Sequence, residues 1–530
     1  VLARRQTLRD YQGSALSRVS DEFARLAAER AGPRVLLVAP TGAGKTTIAA
    51  ARIEQEVETG GGVLFLAHRK ELIDQCSKRL DGVSVPHGVV MAGHPRWRPW
   101  LPVQVASIAS LVAKNRKGRR HRAEKIKAPT LIIVDEAHRS RADTYHVVLD
   151  ELFPGVPVLG LTATPIRMDN RGLGDSYQSL VVVETIAGLT GRGFLVPATG
   201  FAFDVPDLKG VRTTAGDYNE RDLATAMSRT AIVGNIVEQW LAHAGGVRSV
   251  LFAVNVEHSK RLVAEFRSHG VRAEHLDGET PKGEREAILA RLHSGETRIV
   301  SNVGVLTEGW DEPLVECGIL ARPTKSLGLF LQMVGRFLRA ACLDCAGDTP
   351  WNSPICRHCG SPSVKRAARI HDHAGCVLAH GLPEAERAWT LDDTKKKKAR
   401  DDEESAPTVR QCGKCFALYS ATLDACPACG TPAPKRVREI EEIEHGKIVT
   451  FDELRKKFGI SGRNAPPDVA PIDVFGPPHR TFVRIATNGE KLDFLREMVR
   501  IARVHGRNGG WVAGMYETEF GEKPRWRFDV

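Results

Sequence analysis

Apolar positions along this chain fall mainly in short unbroken runs rather than in alternation. Residues 34–39 (RVLLVA), 62–67 (GVLFLA), 130–134 (TLIIV) and 158–161 (VLGL) are each bounded by glycine or polar turns, as strands buried on both faces are. A helix-patterned stretch from Gln12 to Arg30 precedes them, and further such stretches separate them. This alternation, with polar loops at the C-terminal ends of the runs, predicts a parallel sheet covered by helices. After a connector rich in Gly, Thr and Asp (188–217) the alternation resumes: helical 231–243, strand 249–254, helical 284–293, strand 297–302 and helical 331–339. A second α/β domain is predicted. Near the end, residues 494–504 regain helical apolar spacing with Gly506 as a stop, and Trp511, Tyr516, Phe520 and Trp526 are expected to pack on that helix.

The loops between these runs carry the chemistry. Residues 39–46 (APTGAGKT) join a buried strand to a helix N-terminus, which is the setting of a phosphate cradle. Thr41, Gly42, Ala43, Gly44 and Thr47 are assigned to that cradle. Lys45 is assigned to the β and γ phosphates, and the Thr46 hydroxyl to Mg²⁺. Ala39 stands where the general pattern has its first glycine. The strand 130–134 delivers Asp135 and Glu136, a carboxylate pair suited to holding Mg²⁺ through water and to deprotonating an attacking water. His138 is then placed to bond across a domain interface. Thr162 and Thr164 end the next strand in register with the carboxylates. The second domain has no phosphate loop of its own, but Arg336 and Arg339 stand three residues apart, predicted to share one helix face and present two guanidinium groups to one phosphate.

Composition adds a polyanion. With 530 residues and 42% hydrophobic content the chain can bury several cores, and a net charge of +11 favours an anionic partner. Residues 91–127 hold ten Lys or Arg against one acidic residue, Glu124, a local net of +9. No apolar run reaches the roughly 18 residues of a membrane span, and the first residues lack the apolar core of a signal peptide, so a cytoplasmic protein is expected.

Eight of the eleven cysteines form four C-x-x-C pairs. Cys342/Cys345 and Cys356/Cys359 are separated by ten residues, and so are Cys412/Cys415 and Cys426/Cys429. Repetition of this spacing predicts two zinc ribbons, each knuckle supplying two thiolates of a tetrahedron. Residues 391–409 carry four consecutive lysines followed by Asp401-Asp-Glu-Glu404 without apolar periodicity, the composition of a flexible linker.

Read in order, LRDYQ, APTGAGKT, LAHRKEL, VASIASL, DEAH, LTATP, HLDGET, VSNVGVLTEGWDEP and QMVGRFLR resemble the motifs of superfamily two helicases and translocases of the DEAD/DEAH-box type, over about 330 residues. Within that superfamily the GWDEP segment, residues 322–339 and residues 370–375 (IHDHAG) are most similar to bacterial and phage RadD-like helicases. The resemblance implies an α/β fold of two tandem RecA-like (P-loop NTPase) parallel-sheet domains, to which the cysteine spacing adds two small zinc ribbons and the apolar periodicity a C-terminal helical extension. The expected limits are 1–192 and 193–383 for the two domains, 341–362 for an inserted first ribbon, 384–408 for the linker, 409–434 for the second ribbon and 435–530 for the extension. The resemblance also implies an ATP hydrolase using Mg²⁺, to which the cysteine spacing adds two Zn²⁺, acting on DNA rather than RNA in a bacterial or phage-infected cytoplasm. Gln12 would read adenine, Gln332, Arg336 and Arg339 would complete the hydrolytic site, and Gly309 and Asp311 would monitor nucleotide state. Arg69, Ser107, Thr280 and Thr307 would contact the strand, mostly at phosphates. Ala109, where relatives often carry Gln, and Cys376, where Asn is common, depart from the pattern. Two alternatives stay open: a duplex translocase that does not separate strands, and a zinc-ribbon nucleic-acid-binding protein with little motor activity.

Overall fold

The computed structural model describes residues 8–392 except 30, 115–117, 119, 121, 141, 168–170, 204–205, 207, 215 and 228–229; it also describes 409–433 and positions 494, 495, 498, 499, 512, 513 and 516. The first sheet contains β1 (Arg34–Val38), β2 (Val63–Ala67), β3 (His87–Val90), β4 (Val103–Ser107), β5 (Leu131–Asp135), β6 (Val158–Thr162) and β7 (Ser179–Val182), in the order β3-β4-β2-β5-β6-β1-β7 with every pairing parallel. Four of these strands, β1, β2, β5 and β6, coincide with the apolar runs. The edge strands β3 and β7, four residues each, are shorter and were not among the expected strands, although β7 carries the apolar run 180–183 (LVVV). Register matters for function: Val38 pairs with Thr162, and Asp135 with Leu161. The loops after β1, β6 and β5 therefore leave one edge of the sheet side by side, where α/β sheets bind ligands.

The second sheet is built from β8 (Ala198–Ala202), β11 (Ser249–Phe252), β12 (Ala273–Leu276), β13 (Ile299–Asn302), β14 (Cys317–Leu320), β15 (Ala368–Asp372), β16 (Val409–Gln411) and β17 (Ala417–Ser420). A small hairpin of β9 (Thr213–Thr214) and β10 (Asp217–Tyr218) lies outside it. Its order is β12-β13-β11-β14-β15-β8-β17-β16, parallel from β12 to β8 and antiparallel beyond. Two parallel-sheet α/β domains of the RecA-like kind thus carry the chain.

Both cysteine clusters are tied to the second sheet. The first lies between the helix Leu327–Gly335 and β15, and its return strand bridges Val364 to Cys342. The second was expected to hang beyond a flexible linker. Instead, its hairpin β16–β17 extends the sheet: Ala417 and Leu418 pair with Phe201 and Gly200, and the Gln411 amide donates to the Ala202 carbonyl at 2.9 Å. Nor is the start of the expected linker free. Gly174 donates to the Leu391 carbonyl at 2.8 Å, and Arg387 donates to the Pro383 and Ala385 carbonyls, each at 2.9 Å. Apolar Trp389 and Leu391, which pack against the buried cores of the sheet domains, hold this stretch down. Residues 393–408, including the four lysines, lie outside the described residues.

Residues 437–530 form a separate unit, in which Leu495, Val512 and Tyr516 are buried and Phe494 meets the Tyr516 ring at 6.4 Å. Trp511, Phe520 and Trp526 lie outside the described residues. Among the described residues no helix is long and apolar enough to cross a membrane.

Candidate active site

Gly44, at φ 88°, adopts a left-handed conformation that an L side chain rarely takes, and it starts the helix Lys45–Glu58. The free N–H groups and positive dipole end of that helix face the cleft, ready for an anion. Behind the loop, the Gln12 amide donates to the Ala43 carbonyl at 3.0 Å and accepts from the Arg9 N–H at 3.0 Å, while the Tyr11 hydroxyl donates to the same carbonyl at 3.1 Å. One end of the Gln12 carboxamide thus holds the loop and the other caps the start of the helix Asp10–Ala27. It sits behind the cradle, against the loop that would hold the nucleotide.

β5 ends in the carboxylate pair, and both groups are buried. The Glu136 N–H donates to the Asp135 carboxylate at 3.0 Å, and Glu136 itself holds φ 50°, a strained conformation for a residue with a side chain. Burial and the neighbouring carboxylate push the Asp135 carboxyl up, against the pull of Lys45. Although burial opposes ionisation at Glu136 as well, the charges of Lys45 and His138 win there and hold it down. The pair thus differentiates into one carboxyl that is costly to ionise without a cation and one that stays ionised, the division of labour needed for metal holding and proton acceptance. Thr46 and Asp135 both line the cleft and could hold Mg²⁺, which would offset the unfavourable charge at Asp135.

The second domain closes over this edge. Pro40, Thr41, Gly42, Gly44, Lys45, Thr46, Thr47, Asp135 and Glu136 line a cleft of about 390 Å³ together with Gly309, Trp310, Asp311, Gly335, Arg336 and Arg339. The approach is close enough that a Cβ on Gly335 would lie 2.4 Å from the Thr41 Cβ. The arginine pair is not on a helix face as expected. The helix stops at Gly335, Arg336 caps it, and Arg339 forms a bridge with Leu195. The cause is Phe337, which is fully buried and lies so close to Gly318 that a Cβ there would be 1.9 Å from its ring. Continuing the helix would pull that ring from the core. Arg336 donates to the Thr307 carbonyl at 3.0 Å and to the Trp310 carbonyl at 2.6 Å, and Arg339 is ion-paired with Asp311. Gln332 is buried and is not among the cleft-lining residues.

One carboxylate between the domains escaped the sequence reading. Glu308, buried, meets His68 at 3.0 Å, Arg69 at 3.3 Å and Arg139 at 3.0 Å. Despite its desolvation, these partners hold it well below the usual carboxylate range. Its position between Thr307 and Gly309, inside a recognised motif, was the available signal. His138, expected to bond across the interface, stands 3.4 Å from Glu136 and 3.9 Å from Glu308 without a hydrogen bond to either. Of the expected strand contacts, Arg69 is engaged by Glu308, and the Thr307 hydroxyl donates to the Gly304 carbonyl at 3.4 Å. Thr280 donates to Asp277 at 3.0 Å, and Ser107 starts the helix Ile108–Val112 at the C-terminal end of β4. Within the basic segment Arg120 is paired with Glu151 at 3.1 Å. Gln75 and Arg79 also line the cleft and were missed, although with Leu72 they share one face of the helix Lys70–Gly82.

In each cysteine group the four Sγ atoms lie within 4.8 Å of one another. Cys342–Cys359, Cys345–Cys356, Cys412–Cys429 and Cys415–Cys426 each stand at 3.6 Å. A tetrahedron with Zn–S of about 2.3 Å has edges of about 3.8 Å, so both donor sets fit zinc and are too wide for disulfides. Donors to the sulfur complete the fit: the His358 N–H and the Thr349 hydroxyl each stand 3.3 Å from Cys356.

A phosphate loop and ionised carboxylate on one parallel sheet, met across a cleft by arginines from a second, define a two-domain ATP-hydrolysing motor. Comparison with known proteins agrees. Residues 5–167 match the family model described as the type III restriction enzyme res subunit, and residues 232–341 match the helicase conserved C-terminal domain. A "51.5 kDa protein" of a Lactococcus phage is 32% identical over 434 residues, covering 80% of this chain and 85% of that one. IRC3 of Saccharomyces cerevisiae, whose name describes an ATP-dependent helicase, is 30% identical over 351 residues, 63% of this chain and 49% of that protein. The DNA 3′–5′ translocase XPB2 of Sulfurisphaera tokodaii is 26% identical over 376 residues, 63% of this chain and 78% of that one. The chain belongs to the superfamily two helicases of the DEAD/DEAH type, enzymes that use ATP and Mg²⁺ and act on nucleic acid.

Proposed function

We propose that this helicase couples ATP hydrolysis to movement on DNA, in the cytoplasm of a bacterial or phage-infected cell, during repair, recombination or replication. The observation that carries the reading is the cleft in which Lys45, Asp135 and Glu136 of one domain face Gly309, Asp311, Arg336 and Arg339 of the other. Lys45 binds the β and γ phosphates, Thr46 and Asp135 hold Mg²⁺, Glu136 accepts the proton of the attacking water, and the two arginines stabilise charge on the γ-phosphate. Glu308, clamped by His68, Arg69 and Arg139, ties the closed cleft to the face where Arg69, Ser107, Thr280 and Thr307 meet strand phosphates. Such contacts carry no sequence information, so sequence tolerance is expected. A DNA 3′–5′ translocase among the relatives favours DNA over RNA and keeps movement without strand separation as the second reading. ATP turnover titrated with single-stranded, forked and duplex DNA and with RNA tests the choice. Stimulation is expected from DNA, and greater stimulation by RNA would overturn it.

Both cysteine groups are read as structural zinc sites. Metal analysis is expected to give two zinc ions per chain, with Cys356→Ser and Cys426→Ser each losing one. Because β17 is paired to β8, removal of the second zinc is expected to loosen the sheet edge rather than free an appendage. A loss of a few kcal/mol corresponds to a melting temperature lowered by roughly 5–10 °C, readable by thermal unfolding. An unchanged melting temperature in Cys426→Ser would contradict the docked ribbon.

A further inference from the structure

Lys365 is a buried lysine that neither the fold family's motifs nor the cleft accounts for. Only 1% of it is exposed, and it stands on the extended segment that returns from the first cysteine ribbon toward β15. Its Nζ donates to the Phe337 carbonyl at 2.8 Å, to the Pro313 carbonyl at 3.1 Å and to the Val315 carbonyl. An ammonium group has three donors, and here all three are spent on backbone. These carbonyls are not a random set. Phe337 lies in the turn between Arg336 and Arg339, while Pro313 and Val315 directly follow the segment whose Trp310 carbonyl and Asp311 carboxylate receive those two arginines. Lys365 therefore bonds beneath both partners of the guanidinium contacts. Burial pushes its ammonium down to about 7, with Glu316, Glu312 and Asp311 pulling it up and Arg339 pressing it further down. A lysine kept at that desolvation cost, where an apolar residue would fill the space, points to a need for its three bonds.

The ribbon explains how the lysine gets there. The chain leaves the arginine turn at Ala341, runs through the ribbon, and comes back so that the Lys365 N–H donates to the Ala341 carbonyl at 2.9 Å. Leu343 and Ser363 are joined at 2.7 Å, and Cys342 bridges Val364. Closing the first ribbon thus delivers Lys365 under the turn that the chain has just left.

We propose that Lys365 is a positioning residue for ATP hydrolysis, locking the Arg336–Arg339 turn to the Trp310–Asp311 segment so that both guanidinium groups are held on the γ-phosphate. This rests on the reading that those arginines complete the hydrolytic site. It places no new group on the substrate.

The test compares Lys365→Met with wild type in the full chain, using zinc content and thermal unfolding to establish that the variant is folded. A misplacement of the catalytic groups by about 1 Å costs on the order of 10²-fold, so kcat is expected to fall by that factor with KM for ATP essentially unchanged. Affinity for ADP with aluminium fluoride, a mimic of the transferring phosphoryl group, should fall in parallel, while affinity for a non-hydrolysable ATP analogue is kept. Lys365→Arg, which retains charge and donors, should recover more turnover than Lys365→Gln; this pair decides the matter if the methionine variant does not fold. Wild-type kcat in Lys365→Met, equal losses for both nucleotides, or a glutamine variant as active as the arginine variant would overturn the proposal. Arg336→Ala run alongside separates the two levels. Full activity there refutes the underlying reading of the arginines, whereas collapse there with an unaffected Lys365→Met refutes only the role of the lysine.

Discussion

Arg336→Ala is expected to lower the ATP turnover number on the order of 10³-fold, as loss of an arginine finger does. Arg336 lies in the second domain, yet the charges that bear on it include Glu136 and Asp135 of the first. Burial lowers the cost of parting its proton, and the carboxylates around it oppose that effect, so the guanidinium remains a charged donor in a dry setting. Two backbone carbonyls fix its direction, at 3.0 Å from Thr307 and 2.6 Å from Trp310. Its contribution falls on the charge that develops during phosphoryl transfer rather than on ground-state binding, so ATP affinity should change far less than kcat. Arg336→Lys should recover little, because a single ammonium cannot reproduce the planar fork that holds both carbonyls. Single-turnover hydrolysis beside equilibrium ATP binding measures the two effects separately. Turnover at the wild-type rate in the alanine variant would show that the first domain hydrolyses ATP unaided.

Glu136→Gln is expected to lower turnover by about 10²- to 10⁴-fold and to leave ATP bound. The amide fills the same volume but cannot accept a proton from water. Lys45 and His138 keep the native carboxylate ionised, and its strained backbone, φ 50°, aims it away from the direction β5 would otherwise give. A trapped ATP complex should therefore be observed by rapid filtration with labelled nucleotide. Loss of ATP binding equal to the loss of turnover would instead assign Glu136 to nucleotide binding.

The sequence disclosed those parts of the site that are built from contiguous residues. The phosphate loop, the carboxylate pair and the cysteine spacing are each written within a few residues of one strand end or knuckle, so local chemistry sufficed to read them. What it concealed depends on pairing between distant segments. Glu308 becomes a buried centre only when His68, Arg69 and Arg139 arrive from the other domain. Arg336 and Arg339 have helical spacing, but the fall of Phe337 onto Gly318 ends the helix, and Gly318 lies in β14. The second ribbon looked detached because the charged stretch before it has no apolar pattern, whereas its docking strand pairs with β8, about 200 residues earlier in the chain. Gln12 shows the same dependence: its bonds to Arg9 and to Ala43, 31 residues on, exist only once the first helix is laid against the phosphate loop.

The central claim is that one hydrolytic site, shared by two domains, drives movement on a nucleic-acid strand. Steady-state ATP turnover of the wild-type chain, measured with and without forked DNA beside the Lys45→Ala variant, tests it most directly. The account predicts a rate that rises and saturates with DNA in the wild type and stays at background in the variant. A wild-type rate indifferent to DNA, or hydrolysis that survives the loss of Lys45, would contradict it.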